Sequence, residues 1–220
     1  NARLLYEARV TGFLNTLSVK IFPKAIFYRI KSFVSPILGY SLAIRPWETS
    51  PDYGKPSWGK CNASGGGHKT VLLHEGHGEV RFSIDTWVKA ECASGPGSLP
   101  QDILLHELVH SARFIGGDWD KTELPGSMSK YTDAEEFYAI LLTNIYMSET
   151  GRTVLRRDHN QFHPLPANMD TSREFLYSQE NLKFVKAFCK QHPQIAPMIA
   201  KADVPFNPIK LVEAVRRVAA

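Results

Sequence analysis

The sequence predicts an α+β domain with a helical C-terminal part. Strand-like runs occur before residue 100, whereas runs with the period of a helix dominate after it. The chain has 220 residues, of which 43% are hydrophobic and 22% charged, enough to bury the core of one large globular domain. We divide it into an apolar, helical N-terminal segment over 1–40 and a main domain over 41–220. The last part of that domain, about 172–220, is predicted to be helical.

The N-terminal segment is rich in Leu, Ile, Val and Phe, but Lys, Arg and two prolines interrupt it. Because it contains no run of about 18 uncharged apolar residues, a transmembrane segment is not predicted. One or two amphipathic helices packed on the main domain are the simpler interpretation, and contact of a basic face with a membrane surface is the alternative. The chain begins at Asn1 without a signal-peptide pattern, which favours a fragment of a longer protein or a processed form.

Charge and cysteine content argue against two kinds of function. The formal net charge of +4 is mild, and no basic run is present, so a nucleic-acid partner is not expected. The three cysteines, Cys61, Cys92 and Cys189, lack CxxC spacing, which argues against a thiolate zinc site and a disulfide scaffold. A bond between Cys61 and Cys92 in an oxidising compartment and two buried free thiols both stay open.

Two strand-like runs, 69–74 and 79–87, precede the helical part. The second alternates apolar and polar side chains, which is the period of a half-buried strand. Together the runs predict a hairpin that turns at 75–78. The run Gly65–Gly66–Gly67 is interpreted as loop punctuation.

Two later runs have helical spacing. The first covers 103–114, follows a hydroxyl at Ser98 that is typical of a helix cap, and ends at the glycines after Ile115. The second begins near Thr132 or Asp133 and ends at Gly151. Beyond residue 172, prolines divide the chain into two or three further helices.

The first helix carries an HExxH motif. On a helix, residues four apart lie on one face, so His106 and His110 can both bind one metal ion while Glu107 reaches a metal-bound water. The alternative without a metal site is a buried helix whose histidines only make hydrogen bonds. A similar pair, His74 and His77, has a spacing of three beside glycines and is interpreted as a surface turn.

A catalytic zinc site needs a third protein ligand and an open position for water. The second helix offers Glu135 and Glu136. The apolar stripe through Ala134 and Phe137 places Glu135 nearer the buried face, so periodicity alone leans towards Glu135.

The HExxH motif followed by Glu136–Phe137–Tyr138–Ala139 resembles the gluzincin metallopeptidases, in which two histidines and a downstream glutamate bind zinc. The second helix is most similar to that of anthrax lethal factor, where the ligand glutamate opens a Glu-Phe-Phe-Ala segment. The resemblance implies a zincin-like fold, Zn²⁺ as the cofactor, and Glu136 rather than Glu135 as its third ligand. The chain lacks the Asp four residues after the ligand glutamate that thermolysin-like enzymes carry, and the HExxHxxGxxH of metzincins.

The implied mechanism uses Glu107 as the general base towards water and then as the acid towards the leaving amine. A second group is needed to stabilise the oxyanion. Lethal factor has a catalytic tyrosine before its ligand glutamate, which makes Tyr131 a candidate, although its offset differs by two residues. His159, with its tautomer held by Asp158 or another carboxylate, is the other candidate, and a surface salt-bridge cluster is the alternative interpretation. Arg113 is interpreted as a substrate or carboxylate contact, or as a structural ion pair.

The predicted function is a zinc metallopeptidase that acts on a protein or peptide substrate. The strand 79–87 is a candidate for a sheet edge that aligns the peptide, and a buried core strand is the alternative. The resemblance extends to secreted effectors and toxins of bacterial secretion systems. It implies delivery into a periplasm or host cytosol, with a secretion apparatus or a cognate inhibitor protein as partner. The alternatives are a catalytically idle binding module with the zincin fold and a zinc amidase that acts on peptidoglycan.

Overall fold

The computed structural model describes residues 2–34, 41–46, 63–69, 76–84, 87 and 94–218. The fold is mixed α+β, as predicted, with a small sheet and several helices. It divides into two compact units. One comprises Asn1–Val19, Ile26–Ser94 and Ser98–Trp119, and the other comprises Lys20–Ala25, Gly95–Gly97 and Asp120–Ala220. The domain boundary predicted after Tyr40 stays a prediction, since Tyr40 lies outside the described residues.

The first unit contains a three-stranded mixed sheet. Its strands are β1 (Ser41–Arg45), β2 (Ala63–Lys69) and β3 (Gly76–Phe82), in the order β1-β3-β2. β3 pairs in parallel with β1 and antiparallel with β2. Since β3 is paired on both sides, it is the central strand of the described sheet. The prediction that the run 79–87 offers a free edge to a peptide is therefore wrong.

The predicted hairpin exists, but its strands lie earlier in the chain than expected. β2 ends at Lys69, which pairs with Gly76, so the glycines expected in the turn belong to β3. β3 ends at Phe82, whereas Ile84 and Trp87 are helical. Both are buried, and they are three residues apart, a spacing that also fits one helix face. The continuation of the strand to Trp87 is wrong because a short alternating run fits either period.

Besides the helical residues Ile84 and Trp87, the described part of the chain before residue 120 contains three helices with defined bounds. They are α1 (Ala2–Ser18), α2 (Ile21–Phe33) and α3 (Pro100–Ile115). The first two cover most of residues 2–34, the described part of the N-terminal segment. α1 contacts the sheet, because the Tyr6 hydroxyl donates to the Phe82 carbonyl oxygen over 3.1 Å. The prediction that Ser98 caps α3 is wrong, since its N-cap is Leu99, without a side-chain bond. No helix among the described residues is long and apolar enough to span a bilayer.

The second unit is helical apart from its loops, in the part of the chain that is described. Its central helix is α4 (Ala134–Glu149), capped by Asp133 and followed by Gly151 at φ 84°, as predicted. Phe137 of α4 lies in an aromatic cluster, with ring contacts to Tyr131, Phe175 and Phe184. The remaining helices are α5 (Ser172–Phe175), α6 (Gln179–Gln191), α7 (Ala196–Ile199) and α8 (Pro208–Val218). Two or three were expected here, and the short α7 accounts for the extra one.

Candidate metal centre

The two histidines of the HExxH motif converge on α3. Their Nε2 atoms lie 3.1 Å apart, and the ring centroids are 4.7 Å apart in an edge-to-face arrangement. His106 is 2% exposed and His110 is 3% exposed. Because one helical turn separates the two residues, the pair follows directly from the local structure of α3.

The glycines of β2 let this strand approach α3 closely. A Cβ atom on Gly65 would overlap the backbone of Glu107, and Gly66 adopts φ 148° with Trp119 beside it. Ser111, the residue after His110, accepts a hydrogen bond from the Gly66 amide and donates one to the Glu79 carbonyl oxygen, each over 3.1 Å. The glycine run therefore belongs to a strand rather than to the predicted loop, since the contact with α3 excludes side chains.

Aromatic rings pack against each other at the C-terminal end of α3 and just after it. Trp119 has edge-to-face ring contacts with His110 at 5.8 Å and with Phe114 at 5.6 Å between centroids. Arg113 is buried, and its guanidinium donates to the Asp118 carbonyl oxygen over 2.7 Å, while the Asp118 amide donates back to the Arg113 carbonyl oxygen over 2.9 Å. These hydrogen bonds to the main chain hold the segment that leads to Trp119, while the predicted ion pair and the substrate or carboxylate contact of Arg113 stay predictions.

Glu135 and Glu136 have different surroundings. The side chain of Glu135 is fully buried and accepts a hydrogen bond from the Asp120 amide over 3.2 Å. The amide of Glu136 donates to Asp133 Oδ1 over 2.9 Å, which is the N-cap bond of α4. Periodicity leaned towards Glu135 because it assumes one buried face, whereas α4 is buried from Ala134 to Ser148.

Two cationic or hydrogen-donating groups face the Glu136 carboxylate. Lys121 Nζ lies 3.8 Å from Glu136 Oε1 and 3.1 Å from Asp133 Oδ2. His159 Nε2 lies 3.4 Å from Glu136 Oε2. The sequence analysis did not single out Lys121, and an isolated lysine in a loop carries no local signal for such a contact.

The carboxylate beside His159 is Glu136 rather than Asp158, the first of the partners considered. Asp158 accepts hydrogen bonds from the Gln161 amide at 2.8 Å and from His163 Nδ1 at 2.8 Å. His159 Nδ1 instead lies 3.4 Å from the hydroxyl oxygen of Thr132. Asp158 bonds to His163 rather than to its neighbour His159, because the chain turns back after Asp158. Adjacency in the sequence does not reveal this local geometry.

Tyr131 is buried, with 2% of its surface exposed, and its ring contacts Phe137 at 5.0 Å between centroids. Burial, with a smaller contribution from the negative charge of Asp158, raises the pKa of its phenol above the ordinary value. The tyrosine therefore stays neutral.

The histidine pair expected in a surface turn is described only in part. His77 lies in β3 rather than in a turn, with Nδ1 2.8 Å from the Ser41 hydroxyl, and His74 lies outside the described residues.

His106, His110 and Glu136 form a buried group that could hold a metal ion. One candidate ligand atom from each lies within 4.8 Å of the others. Two imidazole nitrogens and one carboxylate oxygen are a donor set that divalent transition metals accept.

Cys61 and Cys92 lie outside the described residues, and Cys189 is a buried free thiol. Comparison with protein-family models, curated proteins and solved structures found no match to this chain.

Proposed function

We propose that this chain is a zinc-dependent metallopeptidase of the gluzincin type, with a zincin-like fold. The observation that carries the proposal is the buried group of His106, His110 and Glu136, with Glu107 next to the first ligand. Catalytic zinc sites combine three such ligands with one open position. Two neutral imidazoles and one carboxylate suit Zn²⁺ better than the hard cations Mg²⁺ and Ca²⁺, which prefer oxygen ligands alone.

Glu107 is the proposed general base. A zinc ion in the site would supply Lewis-acid chemistry, lowering the pKa of a water ligand and polarising the scissile carbonyl. The Glu107 carboxylate would accept the proton of the attacking water and deliver it to the nitrogen of the leaving amine. Glu107 is 8% exposed, and such burial strengthens the hydrogen bonds that its carboxylate makes.

His159 is the better supported of the two oxyanion stabilisers. Its side chain is 33% exposed, and its Nε2 atom lies beside the Glu136 carboxylate. Tyr131 is enclosed by its own aromatic cluster, so its ring has little freedom to reach a substrate. An imidazole N–H close to the third ligand can donate to an oxyanion that forms near the metal.

The wider setting is proposed on the resemblance alone. The chain would be the toxin or effector domain of a larger secreted protein, with a protein or peptide substrate. A secretion apparatus or a cognate inhibitor protein would be its partner. The edge of the described sheet next to α3 is β2, which therefore replaces the run 79–87 as the strand proposed to align an extended peptide.

The test combines metal analysis with one conservative variant. The purified protein is expected to hold one zinc per chain and to cleave a denatured protein mixture or a peptide library. Glu107→Gln is expected to keep its zinc and lose cleavage by about 100-fold or more, since general bases contribute about 10²–10⁴-fold.

The other functions appear as outcomes of the same test. Zinc binding without cleavage by either form would identify an idle binding module. Digestion of peptidoglycan without proteolysis would identify a cell-wall amidase. Equal cleavage by wild type and Glu107→Gln would contradict the proposed mechanism.

A further inference from the structure

The residue before the cap of α4 is held in an unusual backbone conformation. Thr132 has φ 73° and ψ −60°, and the Asp133 amide donates to the Tyr131 carbonyl oxygen over 2.9 Å. These are the dihedral angles and the hydrogen bond of a γ-turn with positive φ, which is rare and strained. A β-branched side chain makes this conformation more costly still.

The surrounding chain holds the turn in place. The Thr132 amide donates to the Ser129 carbonyl oxygen, and the Ala134 amide donates to the Thr122 carbonyl oxygen, each over 3.0 Å. Asp133 uses one carboxylate oxygen to cap α4 and the other to contact Lys121. Strain of this kind persists only where neighbouring contacts over-determine the backbone, and it is concentrated at functional sites.

The side chain of Thr132 explains why this strained position is not a glycine. The hydroxyl oxygen lies 3.4 Å from His159 Nδ1, while the Nε2 atom of the same ring lies 3.4 Å from Glu136 Oε2. The backbone of His159 is also held, because its amide donates to the Lys130 carbonyl oxygen over 3.1 Å. The imidazole therefore has a hydroxyl at one nitrogen and a carboxylate at the other.

We propose that Thr132 is a positioning residue that sets the orientation of His159. The Glu136 carboxylate can only accept a hydrogen bond, so it places the single ring hydrogen of the neutral imidazole on Nε2. The Thr132 hydroxyl then donates to Nδ1 and holds the ring in this orientation. The γ-turn brings the Thr132 hydroxyl to the His159 ring, and the backbone strain at Thr132 accompanies this conformation. The catalytic meaning of this arrangement rests on the proposed function, whereas the orientation of the ring does not.

Thermal unfolding of the full chain tests the strain. Glycine adopts positive φ freely, so Thr132→Gly is expected to raise the Tm by about 2–4 °C. Thr150→Gly is the matched control, because Thr150 caps the other end of α4 at an ordinary φ of −90° and donates its hydroxyl to the Met147 carbonyl oxygen over 2.7 Å. That variant is expected to lower the Tm. A fall in Tm for Thr132→Gly as large as that of the control would overturn the strain argument.

The ¹⁵N shifts of His159 test the positioning directly. They are measured in histidine-labelled full chain at pH 8 and assigned with His159→Gln. All three proteins are expected to keep the Nε2–H tautomer. Wild type and Thr132→Ser, which both keep the hydroxyl, are expected to show the upfield Nδ1 shift of a hydrogen-bonded imidazole nitrogen. Thr132→Val keeps the branched shape but has no hydroxyl, and its Nδ1 signal is expected to move downfield because this hydrogen bond is lost. Identical His159 signals in wild type and Thr132→Val would overturn the proposal.

These measurements are separate from the test of the proposed function, because they require neither zinc nor a substrate. If the chain cleaves peptides, Thr132→Val is expected to lower kcat about 10-fold with little change in KM, and Thr132→Ser is expected to restore most of it. A wild-type kcat in Thr132→Val would show that the orientation of His159 does not serve catalysis.

Discussion

Gly65 of β2 lies so close to Glu107 of α3 that a Cβ atom at position 65 would overlap the Glu107 carbonyl group. The obstacle is backbone, which cannot rotate away as a side chain can. Gly65→Ala is therefore expected to lower the free energy of unfolding by about 1–3 kcal/mol, as overpacking does elsewhere. Urea denaturation of the variant and the wild type measures the difference.

Gly12 provides the control for this substitution, because nothing lies within 4 Å of a Cβ atom placed there. It lies inside α1, where alanine is preferred over glycine, so Gly12→Ala is expected to raise the free energy of unfolding by about 0.5–1 kcal/mol. Equal effects of the two substitutions would contradict the close contact between β2 and α3.

The two neighbouring glutamates of α4 are expected to respond differently to the same change. Under the proposed function Glu136 is the third ligand, so Glu136→Gln is expected to weaken zinc binding by about 100-fold or more. Glu135→Gln is expected to leave zinc affinity nearly unchanged and to lower stability by about 1 kcal/mol, since Glu135 bonds the Asp120 amide. Competition with a chromophoric chelator measures zinc affinity, and the reverse order would identify Glu135 as the ligand.

The stability of the loop after α4 is expected to depend on pH through Asp158. Burial acts to raise the pKa of this carboxyl, but hydrogen bonds from the Gln161 amide and from His163, with the charge of His163, hold it below its ordinary value. A carboxylate with a depressed pKa stabilises the folded state above its unfolded pKa, near 4, and the contribution is lost as the pH falls through the folded pKa.

Asp158→Asn is therefore expected to cost about 1–3 kcal/mol at pH 7, and its difference from wild type is expected to shrink below about pH 4. Asp203→Asn is the control, because Asp203 is 91% exposed and its ion pair with Lys210 contributes little. Urea denaturation across this pH range measures both variants, and a difference that grows towards low pH would contradict the assignment.

Cys189 is expected to be unreactive in the folded protein. Burial, with the negative charge of Glu213 and a hydrogen bond to it, raises the pKa of the thiol to about 12. The thiolate is the reactive form, so iodoacetamide at pH 8 is expected to label Cys189 only after unfolding in urea. Mass spectrometry of the Cys189 peptide detects the label, and equal labelling rates with and without urea would show that the thiol is accessible in the folded state.

The sequence predicted those residues of the candidate site whose arrangement is set by a single helix. The convergence of His106 and His110 requires only that they occupy one helix, and the start and stop signals around α3 and α4 indicate those helices. The choice between Glu135 and Glu136 was different. Periodicity distinguishes a buried face from an exposed one, and it loses that power in a helix buried on nearly every side.

Features that depend on distant contacts were not predictable from the sequence. The sequence alone favoured a loop at Gly65. The contact that requires a glycine there is with α3, which lies about 40 residues away in the chain. The run after Phe82 fitted a strand until burial of Ile84 and Trp87 on a helical turn showed otherwise. Thr132 carried no signal at all, since positive φ in a threonine contradicts local preference.

The Ser111 hydroxyl is one of the contacts that fix the rotation of α3 about its axis. Ser111 is fully buried and joins Gly66 of one strand to Glu79 of the next through its own oxygen. A slip of α3 by one residue would turn every side chain on it by about 100° and point both imidazoles elsewhere. Ser111 therefore contributes to the direction in which the two rings face, although its side chain bonds the sheet and not the metal group.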